Sequence, residues 1–487
     1  MSTPPPGTPL PPLAGGAGGP AALRPLLSAV LDALREGALA RGGPLPPGGP
    51  DAVTERLRAL TLPVLPDTGT GAEEALRTLV RALAHGAADP ADPLCVAHLH
   101  TPPLAVAVAA DLAASALNPS MDSWDQAPAA SALEAQVTRT LAAEVYPHAP
   151  APDALVTTGG TESNHLALLL ARERHGPVQL LHGANAHHSL PRAAWLLGLP
   201  EPVTVPAPAG VIDLAALDAA LTDLHHPLLV AATAGTTDTG SIDPLPAIAD
   251  LCARHHAELH IDASYGGPLL FSDAHRSRLD GLDRAQSVTL DLHKLGWQPA
   301  AAGLLAVPAA ACLAPLGHQA DYLNADDDTA AGLPDLLGRS LRTTRRPDIL
   351  KTAATLRALG RQGLADLVDR TCAAARHLAD LVDRTCAAAR HLADLVEQTP
   401  GLELHDRPTI STVLFRPTGA TDDDIAAVRR ALLTQGRAVL GRAHADGRLW
   451  LKATVLNPHT TPHDLQALLA LLPLPAPTSL PEGSSRR

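Results

Sequence analysis

Several short segments of this chain end an apolar run in side chains able to do chemistry. In SVTLDLHKLGWQP, 287–299, a strand-like run meets His293 and Lys294. A lysine at the end of a buried strand is costly unless a partner or a reaction compensates it. Upstream, ELHIDASYGGP closes a similar run with Asp262, a carboxylate that must be paired or hydrogen-bonded to stay charged there. TTGGTESNHLALLLAR, 157–172, joins a strand end to a helix starting near Ser163 through two glycines. Glycines allow close backbone approach, and free N–H groups at a helix start favour an anion. A phosphate suits this turn, and so does a plain helix cap. No Lys-Ser/Thr follows the glycines, so it is not a P-loop.

Two further segments add polar groups. AATAGTTDTGSIDP sets Thr236 and Thr237 after an apolar run, although an ordinary Thr/Gly turn reads the same. ANAHHSLPRAAW supplies His187 and His188. A lone histidine is more often structural than catalytic. The pairs at His98/His100, His225/His226 and His255/His256 lack partners at ligand spacing, so no metal site is read. A strand-end Asp262, a strand-end Lys294 and a glycine-rich anion site together fit one chemistry. Pyridoxal 5′-phosphate needs a lysine amine for a Schiff base, a carboxylate to hold its ring nitrogen protonated, and a phosphate cradle.

These residues need a scaffold that brings strand ends together. ALVTT, VQLLHG, PLLVAATAG, AELHIDA, SVTLDL and AGLLAV read as strands alternating with helical patterns. Such alternation predicts an α/β fold, a mostly parallel sheet with helices on both faces, and ligands bind at strand ends in such sheets. STVLFRP and RLWLKATVL, with helices between them, predict a smaller C-terminal α+β domain. The expected order is a Pro/Gly-rich disordered tail (1–20), an N-terminal helical segment (21–93), a large domain (94–350), a small domain (351–473) and a loose end (474–487). DLVDRTCAAARHLA occurs twice, at 366–379 and 380–393. Fourteen residues are close to four helical turns, so the duplication either lengthens a helix by about 21 Å or loops out.

The bulk composition bounds the partners. The chain has 487 residues, 46% hydrophobic and 18% charged, enough for two or three domains. Aromatics are 2%, so the core must be built from small aliphatic side chains. A net charge of −13 argues against nucleic acid or an anionic membrane surface as partner. No apolar run is long enough to span a bilayer, and the N-terminus lacks a signal-peptide pattern. Five scattered cysteines without a CxxC pair predict a reduced, cytoplasmic protein.

GGTESN, AHHS, AGTTDTGSIDP, HIDASYGG and LDLHK, in this order, resemble the group II pyridoxal-phosphate amino-acid decarboxylases. The resemblance covers about 94–472 and implies an aspartate-aminotransferase-like fold (fold type I). NPSMDSWDQAPAASALE and SLRTTRRPDILK look most like the subgroup acting on basic amino acids such as 2,4-diaminobutyrate, lysine or ornithine. By this resemblance Lys294 is the Schiff-base lysine, Asp262 pairs with the pyridinium nitrogen, and His187 stacks on the ring. Thr161, Glu162 and Ser163 sit where the family cradles the phosphate. Thr237 and His293 match cofactor-contacting residues, and Ser264 stands where the family usually has alanine under the ring.

The resemblance further implies a homodimer with an N-terminal segment wrapping the partner. In aromatic-acid members a loop tyrosine protonates the α-carbon. Here NADDDTAAGLPDLLGRS has none, Leu336 lies near the place, and Tyr322 precedes it, leaving His187 or water as other proton sources. Aromatic-acid decarboxylation, an aldehyde-forming variant and a non-catalytic homologue are the alternatives. Asp122 and Asp125 either meet a substrate ammonium or cap a helix, and Asp326, Asp327 and Asp328 read as a solvated run.

Overall fold

The computed structural model describes residues 10–225, 227–317, 320, 323, 325–395 and 401–473, without the side chains of Ala209 and 380–395. Residues 1–9, the expected loose end from 474, and Tyr322 lie outside these. The main sheet has seven strands: β1 (Asp153–Thr157), β2 (Gln179–Gly183), β3 (Val203–Val205), β4 (Leu228–Thr233), β5 (Glu258–Ala263), β6 (Ser287–Asp291) and β7 (Gly303–Val307). Their order is β1-β7-β6-β5-β4-β2-β3. β2 to β6 pair in parallel, as does β3 with β2, whereas β7 runs antiparallel to both β1 and β6. The apolar runs named above all became strands; the short β3, VTV, was not read. Central strands are buried throughout, which is why they read as continuous rather than alternating apolar runs.

The core is aliphatic, as the composition requires. Val230, Ile261, Val288 and Leu304 fill one side of the sheet, with Tyr146, Tyr265 and Trp297 among the few buried rings. Register places Asp262 beside Thr233 of β4 and Thr289 of β6, so the carboxyl ends of three strands form one edge. A second sheet, entirely antiparallel, holds β8 (Leu402–Leu404), β9 (Thr412–Pro417), β10 (Gly441–Ala445) and β11 (Arg448–Thr454) in the order β10-β11-β9-β8.

Helices Gly19–Arg41, Gly49–Thr61 and Ala72–Gly86 form the N-terminal segment. The long helix Ile349–Leu395 breaks its geometry at Gly360 (φ 64°, ψ −176°), a left-handed residue that glycine adopts without strain. It then runs on through both copies of the repeat, so the duplication lengthens the helix. The first copy buries Val368, Cys372, Ala375, Leu378 and Ala379. Among the described residues no helix is long and apolar enough to cross a membrane.

Candidate active site

A cavity of about 290 Å³ opens at the shared strand edge. Thr161, His187, Thr237, Asp262, Ser264, His293 and Lys294 line it, together with Leu99, Tyr265 and Asp291. Of the residues assigned to the coenzyme by the resemblance, Glu162 and Ser163 turn their side chains elsewhere. The helix starts at Gly160, not near Ser163. Glu162 therefore falls in its first turn, where its carboxylate accepts from the Thr158 N–H at 2.6 Å and lies 3.4 Å from Arg342. Ser163 is buried beneath, its hydroxyl 2.7 Å from that of Thr157. Both glycines are dictated by space. A Cβ on Gly160 would stand 2.2 Å from Ser264 Oγ, and one on Gly159 2.9 Å from His293 Cε1. The helix start has no side-chain hydrogen bond to its N-terminal N–H groups and so can receive an anion.

Asp262 sits at the centre of a buried network. Its Oδ1 accepts from the Ser264 N–H at 3.0 Å and the Ser264 hydroxyl at 2.6 Å, and its Oδ2 accepts from Asn164 Nδ2 at 2.8 Å. Burial alone would raise its pKa. The Ser264 hydroxyl, the positive Lys294 and the Asn164 amide outweigh it and hold the carboxyl below the ordinary aspartate value. Asn164 ties this acid to the opposite wall. Its Nδ2 also donates to Ser189 Oγ at 2.9 Å, which is 2.8 Å from His187 Nδ1. Its Oδ1 accepts from Thr289 Oγ1 at 2.9 Å and pairs with His260 Nε2 at 3.0 Å. Burial holds the His187 imidazole below the usual histidine value, the Asp262 charge opposing and His188 and Lys294 assisting. Burial thus biases His187 towards its neutral form.

His260 is fully buried beneath the cavity, and burial pulls its pKa down from 6.5 to about 4. A folded-state pKa below the unfolded value means the unfolded chain binds the extra proton. Stability is complete above about pH 6.5 and falls as pH drops towards 4. The expected loss is about 3 kcal/mol at 1.36 kcal/mol per unit. Denaturant titrations at successive pH values check this: His260→Asn should flatten the slope in that window, and an unchanged slope would assign it to other groups.

Lys294 lies in the turn after β6. Its Nζ is 3.0 Å from Asp291 Oδ2, and His293 Nε2 is 3.5 Å from the same oxygen. The turn is pinned from behind, where the Trp297 indole donates to the Leu456 carbonyl at 2.9 Å and Gln298 Nε2 donates to Thr355 at 3.0 Å. The lysine is about one-fifth exposed. Its strand-end setting is thus made tolerable by a buried counter-charge that the sequence reading passed over.

The second sheet closes the rim. The Tyr265 hydroxyl is 2.6 Å from Ser411 Oγ, 3.1 Å from Thr412 Oγ1, and accepts from the Ser411 N–H at 3.1 Å. Lys452 on β11 donates to the Thr237 carbonyl at 3.1 Å, its pKa lowered chiefly by burial, with Asp238 pulling upward. Lys294, Lys351 and Lys452 are the only lysines in the sequence. Lys351 is buried and tied to Asp111 at 3.3 Å and Asp348 at 3.6 Å.

The two segments that suggested a basic-substrate subgroup pack on each other. The Met121 N–H donates to the Arg345 carbonyl, and Arg345 makes a bidentate pair with Glu134 at 2.6 and 2.7 Å. Both partners are at least 95% buried. Arg345→Ala should leave Glu134 charged without a partner and cost about 3–5 kcal/mol in denaturant unfolding. A loss below about 1 kcal/mol would mean the site relaxes to let water in. Asp122 accepts from Gln126 and Asp125 from Ser123, so these acids organise their own loop. Neither lines the cavity nor caps the helix Pro128–Val145. Among the described residues no His/Cys/Asp/Glu cluster has metal-holding geometry.

A lysine amine, an ionised buried carboxylate and an uncapped, glycine-shaped helix start meet in one cavity. That is the donor set pyridoxal phosphate requires. A family model, the pyridoxal-dependent decarboxylase conserved domain, matches residues 55–398. The L-2,4-diaminobutyrate decarboxylase of Rhizobium meliloti (strain 1021) is 41% identical over 422 residues, 83% of this chain and 82% of that one. Its counterpart from Acinetobacter baumannii is 31% identical over 440 residues, 82% and 83% of the two chains. A crystal structure from Vibrio parahaemolyticus is also similar. It is the glutamate decarboxylase domain of diaminobutyrate-pyruvate transaminase and L-2,4-diaminobutyrate decarboxylase, with TM-score 0.80, 30% identity and coverage of 94% and 96%. The chain belongs to the pyridoxal-dependent decarboxylase family and is a pyridoxal-phosphate-dependent amino-acid decarboxylase.

Proposed function

We propose that the substrate is a small basic L-amino acid, L-2,4-diaminobutyrate first and lysine or ornithine next, converted to the amine and CO₂. The observation that carries this is the 41% identity to a diaminobutyrate decarboxylase across more than four-fifths of both chains. Lys294 would hold the coenzyme through its amine, and the glycine turn with the start of helix Gly160–His175 would hold the phosphate. Asp262, kept ionised by Ser264 and Asn164, would hold the proton on the ring nitrogen. His187, Thr237, Ser264 and His293 would line the coenzyme; Thr161, Glu162 and Ser163 would shape its phosphate turn.

Pyridoxal phosphate, when bound, supplies an electron sink for the pair left behind as the carboxylate departs. The negative charge of Asp262 is fixed before the reaction, so it would keep the ring nitrogen protonated, and the ring able to accept that electron pair, without reorganisation. His187, steered by Ser189, would stack over the ring, and the proton for the α-carbon would come from its protonated form or from water. The loop 324–340 carries no tyrosine for that task, which favours testing an aldehyde outcome beside the amine. Scoring CO₂ from diaminobutyrate, lysine, ornithine, tyrosine, tryptophan and glutamate, with amine against aldehyde and peroxide as products, decides both points. The highest kcat/KM is expected with diaminobutyrate and an amine product; a preference for glutamate or an aromatic acid would refute the substrate assignment.

The same reading makes the protein a cytoplasmic homodimer, with a large domain (94–350) and a small one (351–473). Leu31, Leu34, Leu57, Leu60, Leu79 and Leu83 on the N-terminal helices are exposed in the single chain, which supports a partner covering them. Light scattering on the purified chain should give twice the monomer mass.

A further inference from the structure

The cavity holds a second acid to which the proposed chemistry gives no task. Asp291 ends β6 and is 2% exposed. Its Oδ2 pairs with Lys294, while its Oδ1 is buried without a hydrogen-bond partner. Both oxygens lie against the glycine turn: a Cβ on Gly159 would be 3.5 Å from Oδ1, and one on Gly160 would be 3.3 Å from Oδ2. The uncapped first turn of helix Gly160–His175 begins at those same glycines. A buried acid with an idle oxygen therefore faces the place where, on the reading above, a phosphate is held.

Two anions in contact inside a poorly solvated cavity repel strongly. A carboxylic acid at the same spot attracts instead, because its O–H donates to a phosphate oxygen in a short, charge-assisted bond. The other charged or titratable groups lining the cavity with Asp291 are Lys294 and His293 from its own turn, His187 from the opposite wall, Asp262 from β5, and Tyr265, whose hydroxyl is held by Ser411 and Thr412. Lys294 is the counter-charge now, and it is the amine assigned to another bond once the coenzyme is held. We infer that Asp291 binds the coenzyme phosphate as the protonated acid, so that phosphate binding takes up one proton at this side chain. The proton passes from solvent to a carboxylate oxygen; no covalent bond other than that O–H forms, and no electron is transferred. This inference rests on the pyridoxal-phosphate reading of the cavity.

Pyridoxamine 5′-phosphate tests it, because it carries the phosphate without the aldehyde and cannot condense with Lys294. Calorimetric titration into the coenzyme-free full chain, in buffers of different ionisation heat at about pH 8, counts protons while the free phosphate monoester is a dianion. The wild type should take up about one proton per molecule bound. Asp291→Asn, whose amide donates without needing a proton, should take up none and bind about tenfold or more tightly. His293→Gln should keep the uptake. Binding of the wild type without proton uptake overturns the inference alone. So does uptake that survives in Asp291→Asn or vanishes in His293→Gln. Failure of the wild type to bind at all overturns the coenzyme reading as well.

Discussion

Lys294→Ala is expected to give a folded, colourless protein whose kcat/KM for decarboxylation falls by at least about 10³-fold. Lys294 sits in a turn, about one-fifth exposed and outside the aliphatic core; the ion pair lost with it is the one to Asp291 at the end of β6. The turn keeps its anchors through Trp297 and Gln298. What disappears is the amine at the centre of the cavity, and neither remaining lysine can replace it. Lys351 is buried in an ion pair with Asp111 and Asp348, and Lys452 is engaged with the Thr237 carbonyl. Absorbance of the coenzyme-treated protein and CO₂ release check this together. A variant that colours normally and retains more than about a tenth of the activity would remove Lys294 from the mechanism.

Asp262→Asn is the second large effect. The substitution keeps the shape and removes the charge. A loss of about 10²–10⁴-fold in kcat is expected, the scale of deleting a preorganised electrostatic partner. Folding should suffer as well, because every group now facing Asp262 donates: the Ser264 N–H and hydroxyl and the Asn164 amide. An asparagine brings its own NH₂ to one of those donors and leaves it unsatisfied, which costs about 1–3 kcal/mol. The two losses separate experimentally. Saturating coenzyme restores a purely structural defect but not kcat. Full kcat at saturating coenzyme would place the ring-nitrogen partner elsewhere.

Much of this was legible from residue order because strand ends concentrate the chemistry. Apolar runs closed by Asp262 and by His293-Lys294 mark both a buried strand and the edge where it stops, and the parallel register then sets those ends side by side. The supporting layer was not legible, since its partners are distant in sequence. Asn164 meets Asp262 across 98 positions, Tyr265 meets Ser411 across 146, and Lys452 meets Thr237 across 215. One signal did exist for Asn164, a polar residue just ahead of the apolar helix run HLALLLA. Asp291 was equally visible as an acid ending an apolar strand, the same argument that picked out Asp262. Glu162 and Ser163 were read as part of the cradle because the motif runs through them. The earlier helix start at Gly160 is what turns their side chains to Thr158, Arg342 and Thr157.

The most direct measurement is borohydride reduction of the coenzyme-loaded protein, followed by proteolysis and mass mapping. With three lysines in 487 residues, the assignment leaves no ambiguity. The coenzyme mass should appear on the peptide containing Lys294 and on neither of the other two. Attachment at Lys351 or Lys452, or no attachment in a preparation that still releases CO₂, would contradict the account.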